Sequence, residues 1–141
     1  MKYGPQLVVR ALAKRVTAFL LVLGCLALVG DPRGGGVQAG LLIAAALVCH
    51  AVAFGVAMTV KAAPPAMLRI AAGTGVLIAA CAGVWGARTE AFNFIVVPFA
   101  ALDISPGGAL VHLGAALGVA GAGAFIFLCL AGRATALGEE R

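Results

Sequence analysis

The stretch DPRGGGVQAGLLIAAALVCHAVAFGVAMTV, residues 31–60, decides the fold. It opens with charge, Pro32 and the glycine triplet Gly34, Gly35 and Gly36, and it then carries no formal charge as far as Val60. A helix needs about 20 apolar residues to cross the hydrocarbon core of a bilayer. The stretch therefore predicts a glycine-rich loop at the mouth of a membrane helix. Irregular backbone at a membrane edge must be satisfied by protein or water, so this loop is a structural element.

Three further apolar segments accompany this one. The whole chain of 141 residues is 63% hydrophobic and only 11% charged, with a mean hydropathy of +1.12. A soluble domain has roughly a quarter of its residues charged, so this chain has too few polar groups to cover a soluble surface. Residues 1–141 therefore form a single all-α integral membrane domain with four transmembrane helices, over about residues 11–30, 37–60, 68–87 and 108–132.

Two segments need separate comment. The first helix spans only if Lys14 and Arg15 snorkel to the interface or if it begins further upstream. A cleaved signal peptide is the alternative, but the basic region is long and no A-x-A site follows Gly30. Before helix four, residues 91–102 are apolar but too short to span, and Pro98 interrupts them. They predict a short interfacial or re-entrant segment, after which Ser105 caps a helix that has Pro106 in its first turn.

The basic residues set the orientation of the chain. Eight of the ten lie in the N-terminus, the second loop and the C-terminus, and only Arg33 and Arg88 lie in the other two loops. The positive-inside rule places both termini of this multi-pass protein in the cytoplasm, in the cell (inner) membrane of a bacterium or archaeon. The net charge of +5 is accounted for by these segment ends, so it does not indicate a nucleic-acid partner.

Small residues recur four apart on three of the four helices. In lipid there is little hydrophobic drive between helices, and such stripes permit close backbone packing. They predict tight contacts within the membrane, many of them with other subunits. The stripes are Gly36, Gly40 and Ala44; Gly75, Ala79 and Gly83; and Gly114, Gly118 and Ala122.

Chemistry-bearing residues are few. No Asp, Glu, Lys or Arg lies well inside a predicted span, and each of the four cysteines lies in a different apolar segment, which excludes a clustered metal site. The glycine triplet has no following Lys-Ser/Thr pair and no preceding strand, so it is not a phosphate-binding loop. The sequence therefore predicts neither an enzyme nor a bound cofactor or metal.

His50 and His112 are the polar exceptions. His50 lies midway through predicted helix two, and His112 lies near the start of helix four. A neutral imidazole both donates and accepts hydrogen bonds and changes charge near neutral pH. Two interpretations fit these residues: a contribution to a proton or ion pathway, or an interhelical hydrogen bond from a permanently neutral ring.

The chain resembles the MnhB/MrpB-type subunit of the Mrp multisubunit cation/proton antiporters. The family has four helices and a Pro-Gly-Gly-Gly-Phe loop followed by a glycine before helix two, which the run from Pro32 to Gly40 resembles. Val97-Pro98-Phe99 is similar to its Leu-Pro-Phe element. Three departures stand out: Arg33 displaces the loop proline to Pro32, Val37 replaces the aromatic residue, and His112 replaces the acidic residue that opens helix four.

The resemblance implies a small accessory subunit of a cation/proton antiporter, or of a related energy-converting complex such as a membrane-bound hydrogenase. Its partners would be other membrane subunits within the lipid bilayer. Two alternatives remain open. One is a tetraspan assembly or scaffold protein without a transport role. The other is a small autonomous transporter, which needs a membrane carboxylate that helix one lacks.

Overall fold

The computed structural model describes residues 4–30, 35–88 and 106–139, and the regular secondary structure there is entirely helical. The structure of these residues confirms the all-α fold that the sequence predicts. The predicted segment at residues 91–102 lies outside the described residues, as do Ser105, Pro32 and Gly34. The helices are α1 (Gly4–Gly30), α2 (Gly35–Phe54), α3 (Val56–Ala62), α4 (Pro65–Arg88) and α5 (Pro106–Glu139).

Four of these helices are long and apolar enough to cross a membrane. The candidate spans are Val8–Leu28, Gly35–Phe54, Pro65–Val84 and Ala109–Gly132, with lengths of 20 to 24 residues. This confirms a multi-pass membrane protein with four spanning helices. The first span is longer than the sequence predicts because α1 begins at Gly4, and both Lys14 and Arg15 are exposed on its surface.

Helix two differs most from its prediction. The sequence predicts one helix over about residues 37–60, but α2 starts at Gly35, ends at Phe54 and is separated from the short helix α3 by Gly55. The hydropathy of this apolar run does not show the break, because hydropathy indicates whether a segment can lie in lipid and not whether its helix is continuous. At the next turn, Pro65 is the first residue of α4, where its missing N–H leaves no hydrogen bond unmade.

The spanning helices lie in a row in the order α1, α2, α5, α4. α5 packs against α2 through Ala116 and Val119 and against α4 through Gly114 and Gly121. At about 100° per residue these two sets lie on roughly opposite sides of α5. α1 packs almost entirely on α2, where Gly24 contacts the α2 backbone and side chains. The described helices therefore form an open layer, not a closed four-helix bundle.

The α2–α5 interface is built on Gly36, Gly40 and Ala44. A Cβ on Gly36 would clash with the backbone of His112, and one on Gly40 would lie 2.7 Å from the carbonyl oxygen of Ala116. Ala44 contacts Gly123 one level further along. Residue numbers rise together on the two helices, so α2 and α5 run parallel. The helix α2 includes Gly35, Gly36 and Gly40. The glycine triplet that the sequence predicts as a loop therefore ends inside this helix.

The α4–α5 interface also depends on close backbone contact at glycines, but these two helices run antiparallel. A Cβ on Gly114 would lie 2.7 Å from both the carbonyl oxygen of Gly75 and the amide nitrogen of Ala79. Gly118 lies at the same interface, at ordinary contact distance from α4. Gly83 lies off it: a Cβ there would meet nothing within 4 Å, and the neighbouring Ala82 is buried instead.

At one end of the row, α3 packs against a cluster of apolar side chains. Ala51, Leu68, Ala124 and Leu128 are buried there, and Val56 and Val60 of α3 pack against them. At the same end the guanidinium of Arg69 lies 4.7 Å from the centroid of the Phe125 ring, which joins α4 to α5. α3 is therefore packed against the core of the row.

Candidate functional site

The site begins with the backbone of Gly55, which separates α2 from α3. Gly55 has φ 92° and ψ 152°, a conformation that residues with a Cβ rarely adopt. A Cβ there would meet nothing within 4 Å, so the need for glycine is conformational and not steric crowding. Its N–H still donates to the Ala51 carbonyl at 2.9 Å, and its carbonyl accepts from the Thr59 N–H at 3.2 Å. The chain is thus helical on both sides of a sharp turn.

This turn brings His50 and Thr59 together. In a straight helix this difference of nine positions would separate the two residues by about 13.5 Å along the axis. Instead, Nδ1 of His50 lies 2.9 Å from Oγ1 of Thr59. Thr59 is 1% exposed, and the ring of Phe54 lies 4.7 Å from the His50 ring at an interplanar angle of 33°. α3 therefore folds back beside the last turns of α2.

The hydrogen bonds of Thr59 tie His50 to the break in helix two. The Thr59 hydroxyl lies 3.2 Å from the Gly55 carbonyl oxygen, to which it can only donate, and 2.9 Å from His50 Nδ1. When the hydroxyl donates to Gly55, Nδ1 of the neutral ring donates to it and Nε2 carries the lone pair; when the hydroxyl donates to Nδ1, Nε2 carries the hydrogen. In both cases the hydrogen bond of a membrane histidine depends on the break in helix two.

The chemistry of the site is carried by one imidazole and one hydroxyl, which both can donate and accept hydrogen bonds. Among the described residues no group of three or more His, Cys, Asp or Glu side chains could hold a metal ion, and the four cysteines are free. The chemistry that this site supports is hydrogen bonding between the imidazole, the hydroxyl and the Gly55 carbonyl.

The depth of His50 differs from the sequence prediction. It does not lie midway through a long helix two, because α2 ends only four residues later, at Phe54. His112 lies in the first part of α5, half-buried, with its backbone against Gly36 at the opposite end of α2. The 14 residues of α2 between the two levels correspond to about 21 Å. The structure does not bring the two histidines together.

The sequence analysis missed the roles of Gly55 and Thr59. The available signal was an isolated glycine inside the apolar run of residues 37–60, followed four residues later by a threonine. An isolated glycine in a helical pattern lowers the expectation of a continuous helix. What the pattern could not indicate is the direction of the turn, which depends on the packing of α3 against α5.

Replacing Thr59 with valine tests the hydrogen bonds at the turn. We expect Thr59→Val to lower the free energy of unfolding in detergent micelles by about 1 kcal/mol, because His50 Nδ1 loses its partner in a nearly unchanged volume. Thr74→Val is the matched control, since the Thr74 hydroxyl is exposed and bonds only to carbonyls of its own helix. Equal losses in the two variants would contradict a specific role for Thr59.

Comparison of the chain with protein-family models, with curated proteins and with solved structures gave no match.

Proposed function

We propose that the chain is a small, non-catalytic accessory subunit of a multisubunit cation/proton antiporter or of a related energy-converting membrane complex. It contributes to assembly and to the membrane module that moves cations or protons. The proposal takes its family from the sequence resemblance to MnhB/MrpB-type subunits. Its partners are other membrane subunits and the surrounding lipid, in a bacterial or archaeal cell membrane.

The open row of helices is the observation that carries this proposal. An ion path in a membrane must be screened from lipid by protein and lined by polar groups or water. Within residues 4–30, 35–88 and 106–139, a row in which α2 and α4 lie on opposite sides of α5 has no enclosed interior. Most side chains of α1 are exposed as well. A transport path involving this chain therefore needs walls supplied by other chains.

The side chains of the four spans support the same proposal. Val8–Leu28, Gly35–Phe54, Pro65–Val84 and Ala109–Gly132 contain no Asp or Glu. Small autonomous exporters couple protons to substrate through a membrane carboxylate, and this chemistry is missing from the spans. His50, whose imidazole can donate and accept hydrogen bonds, suits a subunit that contributes one group to a pathway shared with its neighbours.

The topology is consistent with two cytoplasmic termini. α2 and α5 run parallel, while α4 runs antiparallel to α5, so the N-terminal part of α1, the α3–α4 turn and the C-terminal part of α5 share one end. Lys61 and Arg69 lie exposed at this end. We assign it to the cytoplasm by the positive-inside rule.

Purification from native membranes tests the proposal. A tagged chain extracted in mild detergent is expected to co-purify with several hydrophobic partners that include a large antiporter-like protein. The isolated chain in proteoliposomes is expected to show no cation/proton exchange, because its described helices enclose no pathway. A stable monomer that exchanges ions alone would contradict the proposal.

Substitution of the histidines in the assembled complex separates transport from scaffolding. In a His50→Asn, His112→Asn double variant we expect full assembly with reduced cation/proton exchange, since asparagine retains hydrogen bonding but cannot take up a proton. Full assembly with full exchange would leave the two side chains only a structural role and favour the scaffold function. Each single variant then shows which histidine is responsible.

A further inference from the structure

Arg69 carries a positive charge within a membrane span, and the described residues supply no counter-charge for it. It lies four residues inside the candidate span Pro65–Val84 and is exposed. Its guanidinium carbon lies 4.7 Å from the centroid of the Phe125 ring, but within the described part of the chain it has no ion pair or hydrogen bond. An unpaired charge in a span costs free energy, so Arg69 needs an anion from outside these helices.

Lys61 adds a second positive charge at the same corner of the row, where α3 turns into α4. It lies in the last turn of α3 and is exposed. Val60 and Leu68 pack in one apolar cluster, and in the sequence each is followed directly by one of the two basic residues. Only residues 63 and 64 connect the two helices. The backbones of Lys61 and Arg69 therefore flank a single cluster.

The acidic residues of the chain belong to other parts of the sequence. They are Asp31, Glu90, Asp103, Glu139 and Glu140. The first three fall in connections at the far ends of the spanning helices, and α4 ends 19 residues beyond Arg69, about 28 Å along its axis. Glu139 is the last residue of α5 and lies 14 residues beyond Phe125, about 21 Å along that helix. The corner formed by Lys61 and Arg69 is therefore locally positive.

The surface of α4 next to Arg69 is apolar and open. Gly73, Val76 and Leu77 lie one to two turns further along α4 and within about 80° of Arg69 around the helix. Val76 and Leu77 are each 64% exposed, and a Cβ on Gly73 would meet nothing within 4 Å. Helical side chains lean toward the N-terminus, so the charged end of Arg69 points toward the end of the span. The apolar strip continues from there into the hydrocarbon region.

We propose that Arg69 and Lys61 bind the phosphate of an anionic phospholipid, and that an acyl chain of this lipid lies along Gly73, Val76 and Leu77. The planar fork of guanidinium N–H donors matches phosphate oxygens, and basic residues beside a span attract anionic lipids. A zwitterionic headgroup would bring an ammonium group toward two positive charges. A free phosphate ion or an acidic peptide would match the charges but not the apolar strip. This lipid site does not rest on the subunit function proposed above.

Native mass spectrometry of the full chain released from detergent micelles tests the site. The probe is an equimolar mixture of phosphatidylglycerol and phosphatidylcholine with identical acyl chains, and the ratio of the two bound lipids is measured. We expect a preference for phosphatidylglycerol that falls about fivefold in Arg69→Gln and in Lys61→Gln, the factor for one basic residue at an anionic surface. Arg15→Gln and Lys14→Gln are the matched controls. They remove the same exposed charges from α1, at the opposite edge of the row, and should retain the preference.

Three results would overturn the proposal. Equal binding of the two lipids by the wild-type chain would leave Arg69 to an acidic segment of another protein. Equal losses in the α1 controls would show that total charge, and not this corner, attracts the lipid. Displacement of phosphatidylglycerol by excess inorganic phosphate would show a site for the free ion. All four substitutions are at exposed positions, and helical circular dichroism checks that each variant is folded. The measurement needs no partner protein, so a failure to find partner subunits would leave it unaffected, and a lost lipid preference would leave the subunit proposal standing.

Discussion

Gly75→Ala is expected to lower the free energy of unfolding in detergent micelles by about 1–3 kcal/mol, the usual penalty of forcing an extra carbon into a packed site. The added Cβ would clash with the Gly118 amide and would lie 2.6 Å from the Gly114 carbonyl oxygen. Both obstacles are backbone atoms, so a side-chain rotation cannot relieve them. α4 and α5 would have to separate, and every contact along that interface would loosen.

Gly83→Ala is the matched control for this prediction. It lies eight residues further along α4 and makes the same chemical change, but a Cβ there meets nothing within 4 Å. We expect it to be neutral or slightly stabilising, because alanine restricts the unfolded chain more than glycine does. Similar losses in the two variants would show that the close α4–α5 contact at Gly75 does not explain the effect of Gly75→Ala.

Gly55→Ala is expected to have the second large effect, through the backbone alone. A non-glycine residue near φ 92° and ψ 152° is strained by about 1–3 kcal/mol, although the space around this position is open. We expect either a loss of stability of this size or a straightening of the break into continuous helix. Straightening would separate His50 from Thr59 and release α3 from the apolar cluster.

Backbone chemical shifts of residues 54–57 distinguish these outcomes, since they report whether the break persists. Gly73→Ala is the control: it lies inside α4, and a Cβ there also meets nothing within 4 Å. If Gly55→Ala left both the shifts and the stability as they are in Gly73→Ala, the positive φ at Gly55 would have no structural consequence.

The four spans could be predicted from the sequence because each depends on a local property, the length of an apolar run. The membrane location and the all-α fold follow from the same property. The positions of Gly36 and Gly40 on one helix face were also visible as a spacing. Which helix this face contacts was not, because small residues recur on several helices and nothing in their spacing selects α5 over a neighbouring subunit.

The candidate site was only half visible in the sequence. His50 stood out because a histidine is rare in an apolar run, but its partner Thr59 is nine residues away, a separation at which residues of a straight helix do not meet. The contact depends on one backbone conformation at Gly55 and on the packing of Val56 and Val60 against Leu128. Periodicity carries no information on such a non-local arrangement, so hydropathy predicted a single helix.

The position of α5 between α2 and α4 has a consequence for biosynthesis. Chain order and spatial order differ, because α5 follows α4 in the chain but lies between α2 and α4 in the row. α1 and α2 can pair as soon as both are inserted, but α4 meets its main partner only when α5 arrives. Until then the faces of Gly75 and Gly40 that α5 will cover are open to lipid or to the insertion machinery. We therefore expect a nascent chain that stops before Pro106 to have a paired N-terminal hairpin and an α4 that still lacks its principal contact.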